Sequence, residues 1–297
     1  MSDSASNISG GARAPRRRPR GALHGILAEP LGVIGAVLVA VVVIAAVFAG
    51  VIAGHDPIAL SPLERFLPPS LAHPLGTDNL GRDLFARVIY GGRIALGVSL
   101  GATLLSLLIG VSAGLAAGYG PRWLDNTMLL VFDALKSFPT VMLALALVTL
   151  VGPSLQAVLL VVIISNAPSY GRMVRTQTMS LRNAEFVFAE QSLGAGVGRI
   201  IATHLLPNIL GPILIVASMD IPVVVAIEAG MSFLGLGVRP PTPSWGTILN
   251  DGFAYIRESP WPVVAGSVPL VITTLGFTFL GEALRDAFDP KRASRSQ

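Results

Sequence analysis

Residues 31–54 read LGVIGAVLVAVVVIAAVFAGVIAG, twenty-four positions without a charge. A helix over this run has no polar face to turn toward water, so it is not the amphipathic helix of a soluble domain. About 20 apolar residues suffice to cross a bilayer, and this run exceeds that. Basic residues precede it, as they precede a signal peptide, yet the run is too long for an h-region and no small-residue cleavage site follows neatly. It reads as a retained membrane helix.

The rest of the 297 residues agree. Hydrophobic residues make up 52% and charged residues 13%, against about 25% charge in a soluble domain. Mean hydropathy is +0.69. Cysteine is absent, which excludes disulfide frameworks, cysteine zinc sites and thiol catalysis. The sequence pI of about 10.0 is not tied to an aromatic-bearing basic domain, so the excess charge is assigned to membrane topology and not to nucleic acid.

Further uncharged runs cover residues 94–120 and 137–171. The second is too long for one helix, and Gly152-Pro153-Ser154 divides it into spans near 129–150 and 155–170. A fifth span covers roughly 209–231 and encloses Asp220 and Glu228, and a sixth covers roughly 263–281. The expected fold is all-α, a polytopic membrane protein of about six transmembrane helices. Residues 1–30 form a basic, disordered tail and the approach to the first helix. The transmembrane domain covers 31–283, and 284–297 is a second tail.

With the N-terminus inside, Arg13, Arg16, Arg17, Arg18, Arg20, Arg122, Lys136, Arg172, Arg175, Arg182, Arg199, Arg285, Lys291, Arg292 and Arg295 all lie on the inner side. They are fifteen of the 21 basic residues; Arg65, Arg82, Arg87, Arg93, Arg239 and Arg257 lie outside. That bias predicts both termini in the cytoplasm. The arginine cluster of the tail either marks topology or touches anionic lipid.

Catalytic motifs are missing. HExxH and GxSxG do not occur, and His24, His55, His73 and His204 are widely separated in sequence. The two lysines, Lys136 and Lys291, cannot complete GxxxxGK[ST]. ATP-driven work therefore needs another polypeptide. Asp133 and Lys136 share a helical face and read as a local ion pair. Asp220 and Glu228 lie within the fifth span, where an ionisable group is costly, so each either borders a polar path or makes a structural hydrogen bond.

Three segments between spans carry information. Residues 171–207 form the longest polar stretch on the inner side. Asn183 is placed to cap a helix running to Leu193, Gly194 supplies a left-handed C′ position, and a second helix covers 197–206. Phe186, Phe188, Ala189 and Leu193 make an apolar face suited to a groove on a soluble partner. In the outer loop 54–93, Thr77, Asp78 and Asn79 are capping residues for a helix from about Leu80, with Leu84, Val88 and Tyr90 lying at the membrane surface. In the outer loop 232–262, Trp245 reads as an interfacial anchor. Either outer loop meets an external carrier or seals the mouth of the bundle; the residues leave both open.

HPLGTDNLGRD (residues 73–83), SFLGLGVRPPTPSWG (232–246) and GEALRDAFDP (281–290) occur in that order. On these motifs the chain resembles the inner-membrane permease subunits of dipeptide, oligopeptide and nickel ABC importers, specifically the C-type subunit, over nearly all of 31–291. The resemblance implies a type I ABC importer transmembrane domain in the bacterial inner membrane. It implies a second homologous permease, one or two ABC ATPase subunits and an external solute-binding protein as partners. No cofactor is expected on this chain, ATP and Mg2+ belonging to the ATPases. Gly76, Thr77, Asp78, Gly81, Arg82 and Asp83 are the signature positions of the first motif.

The resemblance also implies a coupling loop of the form EAA-x3-G ending near Leu-Pro. Gly194, Leu206 and Pro207 match, whereas Phe188, Ala189 and Glu190 stand at the EAA positions. The acidic first position is Phe, which leaves Glu185, Glu190 or a purely apolar contact to engage the ATPase. A secondary transporter is the main rival reading. No internal repeat supports it, and six helices are few for a complete carrier. A membrane-embedded enzyme or a scaffold follows.

Overall fold

The computed structural model describes residues 29–288. The expected basic tail 1–30, His24 and the expected second tail 284–297 fall largely or wholly outside them. The described residues are helical apart from loops and one isolated bridge, Thr77 to Asp83. In chain order the helices are α1 (Pro30–Val47), α2 (Ala49–Ile52), α3 (Leu84–Tyr119), α4 (Arg122–Lys136), α5 (Thr140–Val151), α6 (Leu155–Arg182), α7 (Glu185–Ser192), α8 (Val197–Ile200), α9 (Leu206–Phe233), α10 (Trp245–Ala254) and α11 (Trp261–Phe288). A π-turn at Ile201–Leu205 joins α8 to α9.

Among the described residues, five helical stretches are long and apolar enough to span a membrane, namely α1, α3, α6, the run from α8 through α9, and α11, and α4 with α5 makes a sixth if that bent pair is one span. α1 has little buried surface. Val37, Val41, Ile44 and Val47 are each more than half exposed, as suits a helix bordered by lipid on most sides. Its small residues face inward, and Gly35 meets the backbone of α11 at Gly276 and Leu280.

α3 and α6 form the tightest pair. Gly110, Gly114 and Gly118 recur every fourth residue on α3, on the face turned to Ala167, Gly171 and Thr178 of α6. A methyl group on Gly114 would stand 2.5 Å from the carbonyl oxygen of Gly171, and one on Gly110 2.7 Å from that of Ala167. Lipid provides no hydrophobic drive between helices, so close backbone approach along small residues supplies the association. Proline sits inside α6, α9 and α11 at Pro168, Pro212, Pro222 and Pro269. Neighbouring helices tolerate such breaks in a membrane bundle.

Several sequence expectations need correction. The third span, expected near 129–150, is two helices, α4 and α5, bent by 89°. Pro139 disfavours helix at Phe138, and α4 has a polar side that a straight span would expose to lipid. That side is pinned to α6: Arg175 Nη2 donates to Asp125 Oδ2 at 2.7 Å, and Asp133 pairs with Arg172, not with Lys136. α3 starts ten residues before position 94, because its early charged side chains find partners within the fold. Arg93 Nε donates to the carbonyl of Ala46 at 2.7 Å and its Nη2 to Val47 at 3.0 Å, satisfying the open end of α1. α6 continues through Pro168 to Arg182, so the polar segment from Gly171 is helix for its first third. α11 likewise runs past 283 to Phe288.

The connections gather at two ends. One end holds residues 54–83, the Gly152–Ser154 turn and residues 234–260. The other holds the α3–α4 turn and residues 183–205.

Candidate functional site

At the second end the chain between α6 and α9 folds into a helical protrusion. Asn183 ends α6 as its C-cap, and α7 begins after Ala184 without a side-chain cap. The expected Asn183 N-cap is therefore displaced by the longer α6. The end of α7 follows expectation closely. Gly194 has φ +81°; its N–H donates to Gln191 O at 2.9 Å, and that of Ala195 to Glu190 O at 3.0 Å. These two bonds form a Schellman cap, which needs the left-handed residue at C′.

Beyond the cap the chain re-enters the membrane bundle through α8 and the π-turn. Pro207 has no N–H to return to the carbonyl of Thr203, and the wider turn carries the chain past that gap. Leu206 is half-buried and Pro207 exposed. Val187, Ile200 and Leu205 point inward and join Tyr170, Val174 and Ile209 in one apolar core. That core clamps the protrusion to α6 and α9. The opposite side is bare: Phe186, Phe188, Leu193 and Val197 are 42%, 55%, 84% and 52% exposed, and Ala189 lies among them, also exposed. Glu190 does not face outward freely. Its Oε1 lies 3.3 Å from His204 Nε2, tying α7 to the π-turn, and Phe186 rests 5.9 Å from the His204 ring. Glu185 remains exposed at the start of α7. The four residues expected on the apolar face, Phe186, Phe188, Ala189 and Leu193, are thus all exposed, whereas the pairing of Glu190 with His204 has no signal in the sequence.

At the first end, HPLGTDNLGRD closes a knot. Gly81 has φ +75°, and a Cβ there would stand 1.8 Å from Ser61 O; Gly76, with φ +80°, is as crowded by Leu67 O at 2.4 Å. Thr77 accepts from Leu67 N at 2.8 Å and donates to Glu64 O. Asp78 Oδ1 accepts from the amides of Leu80 and Arg82 at 2.8 and 3.0 Å. Asp83, not a residue near 77–79, caps α3 by accepting from Ala86 N at 2.6 Å. The expected helix from Leu80 is replaced by this turn.

Asp78, Arg82 and Arg87 are 1%, 5% and 2% exposed. Arg82 Nε donates to Asp78 Oδ2 at 2.6 Å, and its Nη2 to Asp251 Oδ2 at 2.9 Å. Arg87 Nη2 donates to the same Asp251 oxygen at 3.4 Å, while its Nε stands 3.5 Å from Asp78. Asp251 belongs to α10, and sequence reading missed it. The signal available was an excess of arginine in residues 82–93 over the acids beside them. Trp245 opens α10 beneath a capping box of Ser244 and Thr247. It is no interfacial anchor: it is 1% exposed, packs on Gly91, and its indole N–H donates to Val88 O at 2.9 Å. Leu84 is fully buried as well. The segments carrying the first two motifs thus meet at one end of the bundle.

Between the ends lie the two acids of α9. Glu228 is fully buried and accepts from Ser232 Oγ at 2.8 Å, so it has no surface toward any path in this conformation. Asp220 is half-buried and accepts from Tyr170 Oη at 2.6 Å.

Comparison with known proteins places this architecture. The family model described as binding-protein-dependent transport system inner membrane component matches residues 88–294. The dipeptide transport system permease protein DppC of Alkalihalophilus pseudofirmus is 40% identical over 79% of this chain and 77% of its own length. A probable peptide ABC transporter permease protein of Sinorhizobium fredii is 40% identical over 81% of this chain and 82% of its own. The glutathione transport system permease protein GsiD of Pectobacterium atrosepticum is 35% identical over 76% and 75%. Among solved structures, the inward-facing MetNI methionine ABC transporter aligns with a TM-score of 0.55 at 20% identity, over 68% of this chain and 96% of that one. That last likeness concerns the fold.

Proposed function

This chain belongs to the family of binding-protein-dependent transport system inner membrane components and is a permease subunit of an ABC importer; from that premise we propose that it carries peptide-like solutes and docks its ATPase through the ridge of α7. The relatives named for dipeptides, peptides and glutathione support the solute class. The protrusion end faces the cytoplasm, as the distribution of basic residues favours. A second permease completes the path, an external binding protein delivers the solute, and ATP with Mg2+ is held on the partner ATPases.

The observation that carries the docking role is the ridge itself: three large apolar side chains, Phe186, Phe188 and Leu193, standing exposed on a helix whose other face is locked into the bundle. In such a chain ATP-driven closure of the ATPases moves α7, and the clamp of Val187, Ile200 and Leu205 passes that movement to α6 and α9. The permease then exchanges one opening for the other, and the ATPases supply the differential interaction that shifts the balance between the two states.

Phe188→Asp tests the ridge against the acidic alternative. Burying a phenylalanine contributes about 1.5–3 kcal/mol, so its replacement by a charge should lower ATPase association about tenfold or more. Glu190→Ala removes only the bond to His204 and should leave most of the ATPase bound. Equal ATPase recovery from both variants in co-purification would count against the apolar docking surface.

Asp220 is the path residue in this proposal. Its place midway along α9, paired among the described residues only with the Tyr170 phenol, leaves a carboxylate able to receive the ammonium group of a peptide once the path opens. Asp220→Asn keeps an acceptor for Tyr170 and removes the charge. Uptake by proteoliposomes containing all subunits should fall by about tenfold while ATPase binding is unchanged. Undiminished uptake would reduce Asp220 to a helix-to-helix tie.

A further inference from the structure

Two histidines and an acid that the transport role leaves unused converge where α2 meets the first knot. His55, His73 and Asp83 each offer one ligand atom, and these atoms all lie within 4.8 Å of one another. The two imidazole rings stand 5.2 Å apart between centroids, tilted by 32°. His73 Nδ1 lies 2.8 Å from Asp83 Oδ2, and its Nε2 lies 3.9 Å from Glu64 Oε2. Only 12% of the His73 side chain and 3% of the Asp83 side chain are exposed, so this pair is largely shielded from water. His55 is exposed, and its ring nitrogens have no hydrogen-bond partner among the described residues.

We propose that His55, His73 and Asp83 form a binding site for a divalent transition-metal ion of the zinc class. Imidazole nitrogen with carboxylate oxygen suits zinc, whereas magnesium and calcium are held by oxygen alone. Metal–ligand bonds of about 2.0–2.2 Å put neighbouring tetrahedral ligand atoms roughly 3.4 Å apart. A slight opening of the 2.8 Å contact between His73 and Asp83, with a rotation of the exposed His55 ring, therefore closes the site around the ion. Glu64 Oε2, 3.9 Å from His73 Nε2, lies beside the ring nitrogen that would not bind the ion, where a carboxylate orients a metal-ligating imidazole; water would complete the coordination.

The ion would act as a staple. His55 follows the first membrane helix directly, and Asp83 is the N-cap of α3. Metal binding would link the exit of one span to the entry of the next across the intervening loop. The staple would stiffen the outer rim when zinc is present, whatever the chain transports.

His73 and Asp83 also hold the turn, so the decisive variant is His55→Ala, at an exposed position outside the knot. Untagged full-length protein, purified in detergent, is titrated with zinc chloride by calorimetry, with magnesium chloride as control. One zinc per chain is expected, with affinity lowered at least about tenfold in His55→Ala and unchanged in His204→Ala. A zinc-dependent rise in unfolding temperature should likewise vanish in His55→Ala alone. The proposal is overturned if wild-type protein binds no zinc, if His55→Ala binds it as tightly as wild type, or if His204→Ala loses it equally.

Discussion

Replacing Gly194 with Pro is expected to abolish ATP-driven uptake while leaving the chain inserted in the membrane. Gly194 sits at φ +81°, and proline holds φ near −65°, so the two conformations do not overlap. Proline also deletes the N–H that bonds Gln191 O at 2.9 Å. With that bond gone, the companion bond from Ala195 to Glu190 O loses its geometry, and α7 no longer ends where α8 can begin. The failure is local, because a Cβ at position 194 meets nothing within 4 Å. None of the spans is touched, and insertion should proceed. Gly194→Ala separates conformation from the missing donor: it keeps the N–H and incurs only the left-handed strain, about 1–2 kcal/mol. Its uptake should fall between wild type and Gly194→Pro. Membrane fractionation, ATPase co-purification and uptake are measured side by side. If Gly194→Pro retained both ATPase and uptake, the protrusion would not be the coupling element.

The readability of this chain from sequence followed the kind of physics at each place. Membrane helices announce themselves because lipid demands about 20 apolar residues regardless of neighbours, and α1, α9 and α11 appeared on that ground. Gly194 was legible for a similar reason, since a helix stop with a left-handed C′ is a local matter. What escaped were the consequences of pairing between distant residues. The start of α3 was misplaced because Arg87 and Arg93 look like boundaries until Asp251 and the carbonyls of Ala46 and Val47 absorb them. The third span was drawn straight because the pairing of Asp125 with Arg175 and of Asp133 with Arg172 cannot be read from α4 alone. Trp245 matches an interfacial anchor by type, yet the small residue at Gly91 opens a slot that buries it. Glu190 seemed free to reach a partner until the π-turn delivered His204 beside it.

Asp78→Ala should be the most destabilising single change at the end that holds HPLGTDNLGRD. Asp78 is the innermost anion of the knot, with a side chain 2% exposed, while that of Asp251 is 31% exposed. Its two oxygens accept from Leu80 N, Arg82 N and Arg82 Nε, and one faces Arg87 Nε at 3.5 Å. Alanine leaves two guanidinium groups side by side with only the outer carboxylate of Asp251 between them, and it strands the buried amide of Arg82. Breaking a buried ion pair from one side costs about 3–5 kcal/mol, a large share of a total stability of about 5–15 kcal/mol. Asp251→Ala should cost less, since water reaches that position and can solvate the guanidinium edges it vacates. The expected order in unfolding temperature and in monodisperse yield after detergent extraction is wild type, Asp251→Ala, then Asp78→Ala. Asp251→Ala proving the more damaging would mean that the contact from α10, and not the turn of HPLGTDNLGRD, holds the arginines in place. The distinction bears on the proposed transport cycle, because Arg82 and Arg87 join segments far apart in sequence that would have to stay together if the bundle changes its opening. A knot anchored within its own turn lets α10 shift against α3 without releasing the mouth, whereas one anchored on Asp251 would have to break.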